Sequence, residues 1–209
     1  AGKDQTDFLY AINKGDLHHV LFPLADYRKE EVRRLAAAAR LPTSEKPDSQ
    51  DICFVSEERM DSFIRQHAGK KILPGEIVNR AGKVLGRHRG LPFYTIGQRS
   101  GLGVSNTVPL YVLALDVAGN RLVGGEKCEV RATGLIADRI NLLVNDPPER
   151  ATAKIRYAHR AAPCSVTWAG ENATIVFDKP QEAISPGQSV VVYDSSLVVG
   201  GGIIREAIR

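Results

Sequence analysis

The sequence predicts an α+β chain in three parts: a helical start over residues 1–66, a small β-rich region over 67–130, and a C-terminal antiparallel β-barrel over 131–209. Three observations predict it. Apolar residues recur at helical spacing before residue 67. Beyond that point short alternating runs take over, punctuated by Gly, Asn, Asp and Pro. From Thr133 onward those runs recur at the spacing of a small barrel or sandwich.

Asp4 is placed to cap a first helix holding Phe8, Leu9 and Ile12. Asp26 is placed to cap a second, in which Val32, Leu35, Ala36 and Ala39 share a face and which Pro42 stops. Residues 43–51 are polar and loop-like, 52–55 form a short apolar run, and Ser56 opens a helix to about Gln66. A helical start of this size would not bury a full core alone, so it reads as the tail of a larger domain. One hairpin is expected from 76–79 and 83–85 around Gly82, and a second from 111–116 and 121–123 around Gly119-Asn120. Barrel strands are expected at 135–142, 151–157, 164–168, 173–177, 189–193 and 197–204. Asp146-Pro147-Pro148 and Asp194-Ser195-Ser196 supply turns.

The composition, 43% hydrophobic and 25% charged over 209 residues, is that of a soluble globular protein. No apolar run approaches the roughly 20 residues of a membrane span, and Ala1-Gly2-Lys3-Asp4-Gln5 lacks the layout of a secretion leader. Three cysteines without CxxC spacing point away from a disulfide framework and from a structural metal. A reducing, cytoplasmic setting is expected, with no metal and no membrane partner.

The net charge is only +4, but it is unevenly spread. Residues 77–115 contain no acid and five cations: Arg80, Lys83, Arg87, Arg89 and Arg99. Residues 150–170 again contain no acid, with Arg150, Lys154, Arg156 and Arg160. The rest of the chain carries 19 basic and 24 acidic residues. A basic surface on an otherwise acidic chain suits a polyanion, nucleic acid first; solvated hairpin faces are the plainer reading.

Several local motifs carry chemistry. In Asp48-Ser49-Gln50-Asp51-Ile52-Cys53-Phe54 a thiol sits where a polar loop becomes apolar. The following helix start would favour a thiolate and the two aspartates would oppose it, so local chemistry alone favours a buried structural Cys53. Cys128 and Cys164 read as core residues. Gly97-Gln98-Arg99-Ser100-Gly101-Leu102-Gly103 is either a phosphate-approaching loop or a tight turn, and it matches no P-loop or dinucleotide fingerprint. Arg156-Tyr157 pairs a planar cation with an aromatic, either to grip phosphate and stack on a base or as the two faces of a strand. Lys3-Asp4-Gln5 reads locally as a helix cap.

Four stretches in order resemble one family. Lys3-Asp4-Gln5-Thr6-Asp7-Phe8-Leu9-Tyr10 looks like a KDQS-x-FL-Y segment, and Asp48-Ser49-Gln50-Asp51-Ile52-Cys53-Phe54 like DS-x-x-ICF. Thr95-Ile96-Gly97-Gln98-Arg99-Ser100-Gly101-Leu102-Gly103 looks like x-GQRKGLG. Pro186-Gly187-Gln188 with Gly200-Gly201-Gly202 looks like a PGQ…GGG ending. These are motifs of the tRNA-specific 2-thiouridylases. The resemblance implies that residues 1–66 are the tail of an N-terminal α/β ATP-pyrophosphatase domain. It implies a reaction at the wobble uridine (position 34) of tRNAs for Lys, Glu and Gln. ATP activates the C2 oxygen as a leaving group, and a cysteine persulfide, charged by a donor protein, delivers sulfur to C2. A second cysteine assists, ending in a disulfide. By the same resemblance Cys53 is the persulfide carrier, while Lys3, Asp4, Gln5, Arg156, Tyr157 and Gln188 contact tRNA. The SGG-x-DS phosphate loop and the second cysteine are absent from this sequence, Ser100 replaces a Lys, and Asn79 stands where Asp is common. The chain alone is therefore expected to be inactive and to bind no ATP. The alternative is a stand-alone tRNA- or RNA-binding β-barrel without catalysis, and a barrel with no nucleic-acid role is a third reading.

Overall fold

The computed structural model describes residues 6–45, 57–69, 72–104, 108–156 and 159–209. The chain divides into two compact units, residues 15–67 and residues 1–14 with 68–209. The described residues before Gly15, expected to belong with the helices, thus group with the strands.

Residues 15–67 hold helix α1, Lys29–Ala38, and all but the last residue of α2, Glu57–Ala68. The α1 cap is Arg28, two residues beyond the expected Asp26, and Glu31 reaches back to accept the Arg28 N–H at 2.7 Å. Arg40 turns the end of α1 with φ +53°, and Leu41 N–H closes on Ala36 O, one step before Pro42. None of the α1 residues is buried, and Leu21, Phe22, Leu24, Leu35 and Leu41 are exposed. Its described residues therefore assemble no apolar core of their own.

Within the other unit, β1 (Gly75–Val78) and β2 (Val84–His88) form the first expected hairpin, and β3 (Tyr111–Asp116) and β4 (Arg121–Gly125) the second. The two hairpins join through a parallel pairing of β1 with β4, giving the order β2-β1-β4-β3. Ile77, Val112 and Leu122 are fully enclosed. His88 is buried beside them. Its Nδ1 accepts the Gly90 N–H at 3.1 Å, which leaves the proton on Nε2 to meet Asn120 O at 3.1 Å.

The C-terminal strands are β5 (Arg131–Leu142), β6 (Arg150–Lys154), β7 (Ala162–Ala169), β8 (Asn172–Glu182), β9 (Ser189–Asp194) and β10 (Leu197–Ile208). They close into an antiparallel barrel in the order β10-β5-β8-β7-β6-β9, so the α+β class and the terminal barrel are as the sequence predicts. Alternate residues point inward: Cys164 and Val166 from β7, and Ala173, Ile175 and Phe177 from β8, meet Leu135, Val190, Val192 and Ile204. Cys164 is core as expected, and burial pushes its thiol up to about 11. Cys128 is not. It is exposed on a 3-10 turn, Lys127–Val130, of which only Val130 faces inward.

The three consecutive glycines of β10 have a steric reason. A Cβ on Gly200 would collide with Asn141 O. One on Gly201 would lie 2.6 Å from Val190 O and 2.7 Å from the Tyr10 ring, and one on Gly202 would come 2.6 Å from Ile140 Cδ1. At this point the barrel wall presses against its neighbours without room for side chains.

Candidate nucleic-acid interface

The 3-10 helix Thr6–Ala11 buries no residue, yet it lies against the barrel through polar contacts. Asn141 Nδ2 donates to the carbonyls of Tyr10 and Ile12 at 2.6 and 2.8 Å. The Tyr10 hydroxyl meets Ser189 Oγ at 2.8 Å, and Lys14 Nζ donates to Asn145 Oδ1. Lys154, at the end of β6, pairs with Asp7 at 3.3 Å, both side chains nearly enclosed.

This helix walls one side of a cavity of about 620 Å³, with Arg156 and Gln188 on the other. Arg156 follows β6 directly. Its Nη2 donates to Ile96 O at 3.1 Å, Ala183 O at 2.6 Å and Ser185 Oγ at 2.7 Å. The guanidinium thus joins the glycine-rich loop to the segment between β8 and β9, and burial lowers its pKa. The plainer reading of Arg156, a solvated strand residue, does not describe it. Gln188 lies where the chain turns into β9, its backbone carbonyl accepting the Ile204 N–H at 2.8 Å.

Among the described residues, three buried polar side-chain atoms have no hydrogen-bond partner: Asp7 Oδ1, Arg156 Nε and Gln188 Oε1. All three belong to residues lining this cavity. Buried polar atoms are rarely left unpaired, and an unpaired one costs about 1–3 kcal/mol. These three atoms are enclosed rather than exposed to the cavity, so a ligand meets them only if their side chains shift.

The glycine-rich loop resolves into the tight-turn alternative. Gly97 N–H donates to Val112 O at 2.8 Å and Gln98 N–H to Thr95 O at 3.0 Å. The Gln98 side chain accepts the Thr95 N–H at 3.0 Å and donates to Ser100 O at 2.9 Å. Gly97 has φ +85° and its Cβ position is filled by Ala183, so no other residue fits there without displacement. The N–H groups of Gly97 and Gln98 are thus engaged within the chain.

The acid-free stretches are not acid-free in space. Arg150 makes a two-pronged pair with Asp178 at 2.8 and 2.9 Å, which raises the pKa of the arginine and lowers that of the aspartate. Arg80 pairs with Glu129 at 3.2 Å, and Arg89 lies 4.3 Å over the Phe93 ring. Of the residues singled out from the sequence, Arg156 and Gln188 come together at the cavity. Lys3, Asp4, Gln5, Cys53 and Tyr157 lie outside the described residues. Sequence reasoning missed Asp7, Tyr10, Lys154 and Ser189. The available signals were the nearness of Asp7 to Gln5 and the place of Lys154 in the second acid-free stretch.

Comparison with known proteins agrees with this layout. Residues 1–57 match a family model described as a tRNA methyl transferase HUP domain, 61–126 a tRNA methyl transferase PRC-barrel domain, and 132–204 an aminomethyltransferase beta-barrel domain. Over 207 residues the chain is 48% identical to tRNA-specific 2-thiouridylase MnmA 1 of Syntrophus aciditrophicus, covering 99% of this chain and 55% of that protein. Over 209 residues it is 47% identical to tRNA-specific 2-thiouridylase MnmA of Moorella thermoacetica, covering 98% and 58%. The protein of that name from Clostridioides difficile is 40% identical over 210 residues, covering 99% and 58%. The chain thus spans somewhat more than half the length of the relatives it matches. Similar to them from end to end and matched by three consecutive domain models, the chain belongs to the tRNA-specific 2-thiouridylase family.

Proposed function

We propose that the chain is the tRNA-holding and sulfur-receiving part of a tRNA-uridine 2-sulfurtransferase acting in the cytoplasm on the wobble uridine of tRNAs for Lys, Glu and Gln. The observation that carries this reading is the cavity between the Thr6–Ala11 helix and the barrel, where Arg156 and Gln188 face the residues that follow Lys3, Asp4 and Gln5 in the chain. Three of its lining residues each hold one unpaired, enclosed polar atom, a donor and two acceptors, which a small side-chain shift would turn toward a partner with mixed hydrogen-bonding groups. Tyr157, next to Arg156, is read as a stacking partner for an unpaired base.

In this reading Cys53 carries the persulfide received from a donor protein; its outer sulfur attacks C2 of the uridine and expels the activated oxygen as AMP, and a second cysteine of the complete enzyme attacks Cys53 Sγ, breaking the S–S bond so that the sulfur stays on the base and the two cysteines end as a disulfide. Activation of the C2 oxygen by ATP is assigned to a pyrophosphatase domain and to no residue described in this structure. The chain by itself holds RNA without turning it over.

The test is the affinity of the purified chain for a wobble-uridine anticodon stem-loop, followed by fluorescence anisotropy. Gln188→Ala is expected to weaken binding about fivefold to tenfold, as one lost hydrogen bond in a dry site requires. Arg156→Ala is the poorer probe, because its Nη2 also supports three protein oxygens. Undetectable binding by the wild-type chain would sink the proposal. Cys53→Ser, placed in a complete enzyme, is expected to abolish thiolation while leaving stem-loop affinity within about twofold, since a thiol-to-hydroxyl change removes the sulfur carrier and little contact area.

A further inference from the structure

Asp7 is a carboxylate in the wall of a cavity read as a site for a polyanion. By Coulomb's law alone it works against such a ligand. The geometry gives it a different task. One carboxylate oxygen lies 3.3 Å from Lys154 Nζ, with the two side chains only 12% and 15% exposed. Three residues on, Tyr10 bonds Ser189 and packs its ring on the bare backbone of Gly201. The helix that carries both residues has no buried residue of its own, so polar and aromatic contacts hold it to the barrel.

We infer that Asp7 is a positioning residue of the RNA site. Its ion pair with Lys154 clips the Thr6–Ala11 helix beside Arg156 and Gln188, and the clip raises RNA affinity by more than the negative charge lowers it. This rests on the RNA-binding reading above.

The sign of one substitution separates the clip from a bystander acid. Affinity of the full chain for the same stem-loop is measured for wild type, Asp7→Asn, Asp7→Glu, Lys154→Met and the double variant Asp7→Asn with Lys154→Met. Circular dichroism at the assay temperature checks the barrel in each. The expected result is at least a fivefold loss for Asp7→Asn, although that change removes a negative charge. Asp7→Glu is expected to recover most of the affinity, and the double variant to bind no more weakly than Lys154→Met alone, because the two residues act as a unit. Wild-type binding with Asp7→Asn equal or tighter overturns the clip and leaves the RNA-binding reading standing. If Asp7→Asn unfolds the barrel, a folded Asp7→Glu that binds as weakly as Lys154→Met overturns the clip, and one that binds like wild type supports it. Absence of any wild-type binding overturns both.

Discussion

His159 sits where the chain leaves Arg156, its backbone N–H donating to Arg156 O at 3.1 Å. Burial lowers its pKa from the ordinary 6.5, the Arg156 charge lowers it further, and Glu182 partly opposes them. The folded chain therefore holds this proton less tightly than the unfolded chain does. Stability from this group is intact above about pH 6.5 and is lost as the pH falls from there through the lowered folded value. Thermal melts between pH 8 and pH 5 are expected to show wild type losing more stability on acidification than His159→Gln; parallel curves would refute it. The residue scale also shows why site roles were only partly legible. Gln188 and Arg156 stood out through motif and composition, but no sequence pattern shows that Arg156 Nη2 is committed to Ile96 O and Ala183 O, from segments 60 and 27 residues away.

The elements were the most legible level. Short apolar runs at barrel spacing, set off by turn residues, located all six barrel strands; inward and outward residues alternate in β7 and β8, while β9 and β10 carry consecutive buried residues. The ends were less legible. β6 stops at Lys154 rather than Tyr157, and the first helix is a 3-10 helix that ends at Ala11, one residue before the expected Ile12. The glycine run of β10 belongs to this level as well. Gly201→Ala places a methyl against Val190 O and the Tyr10 ring. Either the strand or the helix must give way, at a cost of about 1–3 kcal/mol in urea denaturation. Tyr10→Ala is expected to relieve part of that penalty in the double variant, which a strand-only clash would not allow.

At the scale of the whole molecule, the parallel join of β1 with β4 and the pairing of distant acids with the basic stretches were invisible in the sequence. Both depend on meetings between segments that no local pattern links. The pairing has a measurable result. Three of the nine cations in the two basic stretches, Arg80, Lys154 and Arg150, face carboxylates. At most six of these nine are then left to meet phosphates, so the two stretches together are expected to contribute no more than about −4 to the slope of log affinity against log salt for a single-stranded target. Neutralising all nine is expected to flatten the measured slope by no more than that amount, and a flattening near about 6 would mean that RNA displaces those carboxylates.

Tyr10 bonds a serine 179 positions later, and Asp7 meets a lysine in the sixth strand. A ribosome delivers the early partner long before the late one. Its first turn must therefore wait, undocked, through the synthesis of nearly everything that follows, and a prematurely terminated product would have no floor under Tyr10 at all. Retention of RNA by a nascent chain would then report that translation had passed the last strand.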